Sequence, residues 1–162
     1  MPELPEVETV CRGIAPHLTG ARIVRFEARR ADLRTRLPQR LAERVAGRDV
    51  LAVRRRAKYI LIDLTQGWLL LHLGMSGSLA FRETALPPGK HDHFDLVTTN
   101  GVLRLTDPRR FGAVVWSPAI DRQPAAPLLA KLGAEPFDAT LTAEGFHAAL
   151  QRRRGPVKAA LL

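Results

Sequence analysis

The sequence predicts a mainly β fold with flanking helices, and three observations lead to it. Residues 50–116 hold a succession of short β-branched or aromatic runs bounded by Gly, Pro or Asn, the punctuation expected of strands in a compact sheet protein. The stretches on either side change to a helical period. At 162 residues, with 46% hydrophobic and 25% charged residues, the chain has the balance of a globular domain and the length to bury roughly 70% of its unfolded surface.

The elements follow in order. Val7, Val10, Cys11, Ile14 and Leu18 recur at helical spacing, so a helix over 6–18 anchors residues 2 to 6. A strand follows over 21–28. Leu37, Leu41 and Val45, spaced by four, predict a short helix over 37–45 closed by Gly47. The runs 50–53, 59–64, 68–73, 78–81, 94–98, 102–105 and 113–116 are strands. Asn100-Gly101 between two of them predicts a hairpin on a type I′ turn, because both residues tolerate a positive φ. Pro118, Pro124 and Pro127 mark a connector. Helices are expected over 128–132 and 143–151, and a last apolar helix over 157–162 lacks any stop signal, so the sequence reads as cut short. The expected division is a domain over 1–150 and a connection beginning at 151.

Bulk properties narrow the function. The single Cys11 excludes an intrachain disulfide and a Cys-built zinc site, and a reducing, cytoplasmic setting fits it. The longest apolar run, Trp68 to Leu71, is too short for a bilayer, and no secretory leader is legible. Lys and Arg outnumber Asp and Glu by 25 to 16, for a net charge of +9, so the expected partner is a polyanion. DNA, RNA and an anionic membrane surface all satisfy that requirement.

Chemistry concentrates at the start, Met1-Pro-Glu-Leu-Pro-Glu-Val-Glu8. A small residue after the initiator Met lets that Met be removed, which would leave Pro2 with a free secondary amine. An α-amino group titrates near 7.7–8.0, so part of it is neutral and nucleophilic at cellular pH. Attack on an aldehydic carbon gives an iminium, which acidifies the neighbouring carbon and favours elimination there. Glu3 beside the amine, and Glu6 one helical turn on, suit proton transfer. Pro and acidic residues are equally at home in any first helical turn.

The wider pattern decides between those readings. Pro2-Glu-Leu-Pro-Glu-Val-Glu8 resembles the opening signature of the formamidopyrimidine-DNA glycosylase family. Arg55-Arg-Ala-Lys-Tyr59, His72-Leu-Gly-Met-Ser-Gly77, Lys90-His-Asp-His93 and Thr106-Asp-Pro-Arg-Arg-Phe-Gly112 continue that family's pattern in order. The resemblance implies a two-sheet β-sandwich with flanking helices, removal of oxidised purines such as 8-oxoguanine and formamidopyrimidines, and strand cleavage by AP lyase action.

It also implies roles. Pro2 would be the Schiff-base nucleophile, Glu3 the proton donor to the sugar and Lys58 the acid or base that assists elimination and meets phosphate, with Glu6 in support. His72 and His91 would contact DNA. Met75, Arg109 and Phe111 would fill the gap left by the everted nucleotide, although by residue type Met75 and Phe111 read as core. The His-Asp-His triplet lacks further ligands nearby and is not read as a metal site. Arg152-Arg-Arg154 and Lys158 resemble the family's basic segment, Arg153 meeting phosphate and Lys158 approaching the damaged nucleotide, but Gly155-Pro156 departs from that pattern.

Family members continue into a helical domain with a helix–two-turn–helix motif and a four-Cys zinc finger, so one zinc ion is expected there and no cofactor in this chain. The expected partner is double-stranded DNA with oxidised purines or abasic sites, bound by a monomer in a bacterial cytoplasm at the nucleoid, without a membrane. Two rival readings stand: a catalytically idle basic DNA-binding module, and a sister glycosylase for oxidised pyrimidines. A free N-terminal amine beside Glu3 has no use in the first, and the Arg109 to Phe111 pattern disfavours the second.

Overall fold

The computed structural model describes residues 2–161, with side chains to residue 160; Met1 and the end of the expected helix over 157–162 lie outside them. Contacts divide the chain into two compact units, Met1–Lys131 and Leu132–Leu162. The division therefore falls in the Pro-rich connector's wake, earlier than the boundary at 150 expected from sequence.

In the first unit α1 (Leu4–Leu18) leads to β1 (Ile23–Ala28), α2 (Leu41–Val45), β2 (Val50–Arg56), β3 (Tyr59–Leu64), β4 (Trp68–His72), β5 (Ser78–Arg82), β6 (Asp92–Thr98), β7 (Gly101–Thr106), β8 (Ala113–Ser117) and α3 (Ala126–Leu129). Two antiparallel four-stranded sheets result, in the orders β1-β6-β7-β5 and β2-β3-β4-β8. Alternation along each strand turns Ile23, Phe26, Phe94, Leu96, Leu103 and Leu105 of the first sheet toward Val50, Ile60, Ile62, Leu69, Leu71 and Val114 of the second. Val7, Ile14 and Leu18 of α1 close the same core. This is the two-sheet sandwich with flanking helices that the family resemblance implies.

The continuous apolar runs of β3 and β4 have a structural cause. Their inward residues enter that core, while Leu61 and Leu70 on the other face pack with Ala125 and, around it, Tyr59, Trp68, Val115 and Leu129. A sheet covered on both faces loses its polar alternation.

Three expectations are corrected. The helix over 37–45 begins only at Leu41, because the Leu37 N–H donates to the Ala31 carbonyl, Pro38 interrupts, and Arg40 adopts φ 56° at the N-cap. Gly47, at φ 75°, does follow its end. The helix expected over 128–132 starts at Ala126, since Pro127 is tolerated in a first turn. The β6–β7 hairpin pairs Thr98 with Gly101, so Thr99-Asn100 make the turn, not Asn100-Gly101. Gly101 is required for another reason: a Cβ there would lie 2.3 Å from the Arg82 carbonyl oxygen at the end of β5.

The second unit holds α4 (Ala143–Gln151) and α5 (Val157–Leu161). The Thr142 side chain caps α4 by accepting the Gly145 N–H at 3.0 Å. No helix among the described residues is long and apolar enough to cross a membrane.

Candidate functional site

Glu3 is the N-cap of α1, and its N–H donates to the Glu6 carboxylate at 3.0 Å. That bond satisfies an amide the helix leaves open, and it assigns Glu6 a structural task. Pro2 and Glu3 are both half-buried. Opposite them, β2 and β3 pair up to Arg56 and Tyr59, which leaves Ala57-Lys58 as a two-residue turn. Ala57 takes φ 49°, a left-handed conformation that costs a non-glycine residue roughly 1–3 kcal/mol and persists where its surroundings enforce it. Here Arg55 donates to the Ala57 carbonyl at 3.0 Å and to the Glu8 carboxylate of α1 at 2.6 Å. With Arg12 on its other oxygen, Glu8 is held below the usual carboxylate range, chiefly by the Arg55 hydrogen bond. The turn thus delivers Lys58 to α1, its Nζ 2.5 Å from Glu3 Oε2.

Beyond Lys58 lies a groove of about 420 Å³ lined by Arg34, His72, Gly74, Met75 and Phe111. His72 Nδ1 accepts the Gly74 N–H at 3.0 Å, and Tyr59 meets the ring edge-on at 5.1 Å. The bond from Gly74 assigns the proton of the neutral ring to Nε2. Burial, then the charges of Arg34 and Lys58, lower the His72 pKa. This corner therefore offers two fixed cations and one neutral imidazole donor, a set suited to an anionic ligand.

Met75 and Phe111 are exposed, 40% and 43%, which excludes the core reading that residue type alone suggested. Arg109 is exposed as well, with its guanidinium 4.9 Å from the Phe111 ring centroid. Gly74, at φ 65°, makes the approach of the two loops possible, because a Cβ there would lie 2.3 Å from the Phe111 carbonyl carbon.

His91 is half-buried, and the loop before it is pinned from below. Arg104 of β7 donates to the Leu86 carbonyl at 2.7 Å and to Asp95 at 2.7 and 2.8 Å, and Arg29 pairs with the same carboxylate. Burial alone would raise the Asp95 pKa, but the hydrogen bonds from Arg104 and Arg29 prevail and hold it low. The second histidine of the triplet, His93, is buried and bonded through Nε2 to the Asp107 carbonyl at 2.7 Å. Arg153 and Lys158 are exposed in the second unit, Arg153 beside a groove lined by Phe146, Leu150 and Ala160.

The structure thus brings Glu3, the residue after Pro2, together with Lys58 and sets His72, Met75 and Phe111 around one groove. Arg34, Ser76 and Asp107 were not foreseen. Ser76 and Asp107 lie inside two of the quoted motifs, but nothing there marks them, since the burial and contacts of Asp107 come only with the fold. Arg34 sits among several arginines with nothing in sequence to single it out.

The site is thus an N-terminal Pro-Glu pair set against a turn lysine, beside an exposed Met, Arg and Phe, on a two-sheet sandwich. The formamidopyrimidine-DNA glycosylase N-terminal domain matches residues 1–114, and the chain belongs to that family. It is 51% identical over its whole length to formamidopyrimidine-DNA glycosylase of Albidiferax ferrireducens, covering 59% of that protein. It is 47% identical to the Escherichia coli O6:H1 protein, with 98% of this chain and 58% of that one covered. The crystal structure of Lactococcus lactis Fpg with abasic-site DNA matches 99% of this chain and 60% of that one at TM-score 0.86 and 28% identity. The chain therefore spans about three-fifths of the length of these relatives.

Proposed function

We propose that this chain carries the nucleophile and the damage-probing face of a bifunctional DNA glycosylase and AP lyase for oxidised purines, acting in base-excision repair on double-stranded DNA. The observation that carries the reading is the Lys58–Glu3 ion pair, which sets a proton-transfer pair beside Pro2. Similarity to relatives named formamidopyrimidine-DNA glycosylase, and to a Lactococcus lactis Fpg crystallised with abasic-site DNA, supports it.

Once Met1 is removed, the Pro2 nitrogen attacks the sugar C1′ and the bond to the base breaks; the base leaves with that bond's electron pair and takes up the proton that the amine gives up. Ring opening gives the iminium, and Glu3 supplies the proton that the ring oxygen takes up. Loss of a C2′ proton then expels the 3′ phosphate, with Lys58 the acid or base nearest both. Met75, Arg109 and Phe111 occupy the vacated space in the duplex, and Arg109 reads the orphaned cytosine. His72, Arg34 and His91 hold backbone phosphate, and Arg153 and Lys158 of the second unit add contacts. The family's zinc is assigned to the part of the relatives that this chain does not span, since Cys11 is its one cysteine.

The test is borohydride trapping with abasic DNA. The Met-free chain is expected to form a covalent adduct, Pro2→Gly to trap more weakly and an N-acetylated sample not at all. Equal trapping by the acetylated sample would transfer the role to a lysine and end the case for Pro2.

A further inference from the structure

The three exposed residues of the proposed wedge come from two loops distant in sequence. Residues 73–77 carry Met75, and residues 107–112 carry Arg109 and Phe111. A wedge fills a gap in a base stack only if its parts enter together, because unstacking costs a few kcal/mol that partial filling does not offset.

One carboxyl group holds the loops in register. Asp107 is fully buried. Its Oδ1 accepts the Ser76 hydroxyl at 2.7 Å, and its Oδ2 accepts the Gly112 N–H at 2.8 Å. Ser76 directly follows Met75, and Gly112 directly follows Phe111. The Ser76 oxygen in turn accepts the Arg109 N–H at 3.2 Å. Through its main chain Asp107 also donates to the His91 carbonyl at 2.9 Å, and within its own loop it accepts the Arg110 N–H at 3.2 Å. Gly112 leaves no slack, since a Cβ there would lie 3.0 Å from Asp107 Oδ2.

We infer, on the reading of Met75, Arg109 and Phe111 as a wedge, that Asp107 is the positioning residue that makes these side chains enter DNA as one unit. It touches no substrate and acts through its two loops. Removing its carboxyl strands a hydroxyl and an N–H in a buried site, which favours relaxation of the loops away from each other.

The experiment compares the Met-free chain with Asp107→Ala, Asp107→Asn and a triple variant in which Met75, Arg109 and Phe111 are all Ala. Two readouts are taken: the borohydride trapping rate on abasic sites in duplex and in single-stranded DNA, and the fluorescence of 2-aminopurine beside the orphaned base. A single strand has no void to fill, so it reports chemistry without the wedge. Asp107→Ala is expected to lower the duplex-to-single-strand ratio by about tenfold, the effect of one or two buried unpaired groups. It should match the triple variant, and adding it to the triple variant should change nothing further. Asp107→Asn keeps an oxygen for Gly112 and offers an N–H to the Ser76 oxygen, so it should recover most of the ratio.

An Asp107→Ala chain that keeps the wild-type ratio while the triple variant loses it overturns the inference, as does equal slowing on both DNAs. If the triple variant itself behaves like wild type, the wedge reading fails and takes this inference with it. Absence of trapping in every sample condemns Pro2 and not Asp107. The 2-aminopurine signal, bright for wild type and dim for Asp107→Ala, then decides, and equal brightness refutes the inference.

Discussion

His72 carries the sharpest expectation at the scale of single residues, because its ring is neutral for two reasons. Its Nδ1 is occupied by the Gly74 N–H, and burial with two nearby cations lowers its pKa. A depressed histidine binds its proton later in the folded than in the unfolded chain, so stability declines as pH falls below about 6.5, the ordinary value, toward the folded value. Thermal melts from pH 8 to pH 5 should show that decline. In His72→Asn, whose carbonyl can take the Gly74 N–H, the decline in that window should be smaller. An unchanged profile would show that His72 does not titrate against the fold. Of the site, the residue types of Pro2, Glu3 and Lys58 were legible because each has chemistry at its position. Asp107 and Arg34 were not, since the burial of the one and the groove around the other come from loops that only the fold brings together, Ser76 meeting Asp107 across 31 residues.

Strands and the helix over 143–151 were legible, whereas the β6–β7 turn and the starts of α2 and α3 were not. The β3 and β4 runs announced themselves through apolar residues on both faces, whereas the start of α2 depends on Pro38 and a left-handed Arg40, which spacing by four does not reveal. Gly101 misled for a similar reason: its value lies in the approach of β5, not in the turn. The β6–β7 hairpin also carries the Arg104–Asp95 pair, whose side chains are 10% and 3% exposed. Removing one partner of such a pair costs about 3–5 kcal/mol. Asp95→Ala should therefore lower the unfolding midpoint steeply in urea and free the loop at 86–90 that Arg104 holds. Equal loss from Arg104→Met and from the double variant would locate the cost in the pair, while additive losses would deny that coupling.

At the scale of the whole molecule, the proposed function makes charge decide how DNA is held. Nearly all of the net charge of +9 lies in the first of the two compact units, and binding to duplex DNA should weaken linearly in log–log plots against salt. Replacing Arg34 or Lys58 by Ala should each reduce that slope by about one, uniformly over DNA sequences. A slope unchanged in Arg34→Ala would remove Arg34 from the phosphate contacts. Trapping should persist at low salt in the 162-residue chain, whereas excision of 8-oxoguanine from a duplex should be undetectable. Efficient excision would show that the unspanned part of the relatives is dispensable.

The end of α1 that follows Pro2 is held by the two reciprocal capping bonds between Glu3 and Glu6 and by an ion pair whose side chains are 33% and 43% exposed. Ion pairs of that exposure contribute about 1 kcal/mol or less, and helix ends fray at free energies near zero. In its proposed role Pro2 would thus be aimed by a helix end whose anchors lie near the surface, and such an end opens more readily than the buried turns behind it. Reactivity then follows a population that heat and salt erode long before the sandwich itself opens, so this protein should go silent while still folded.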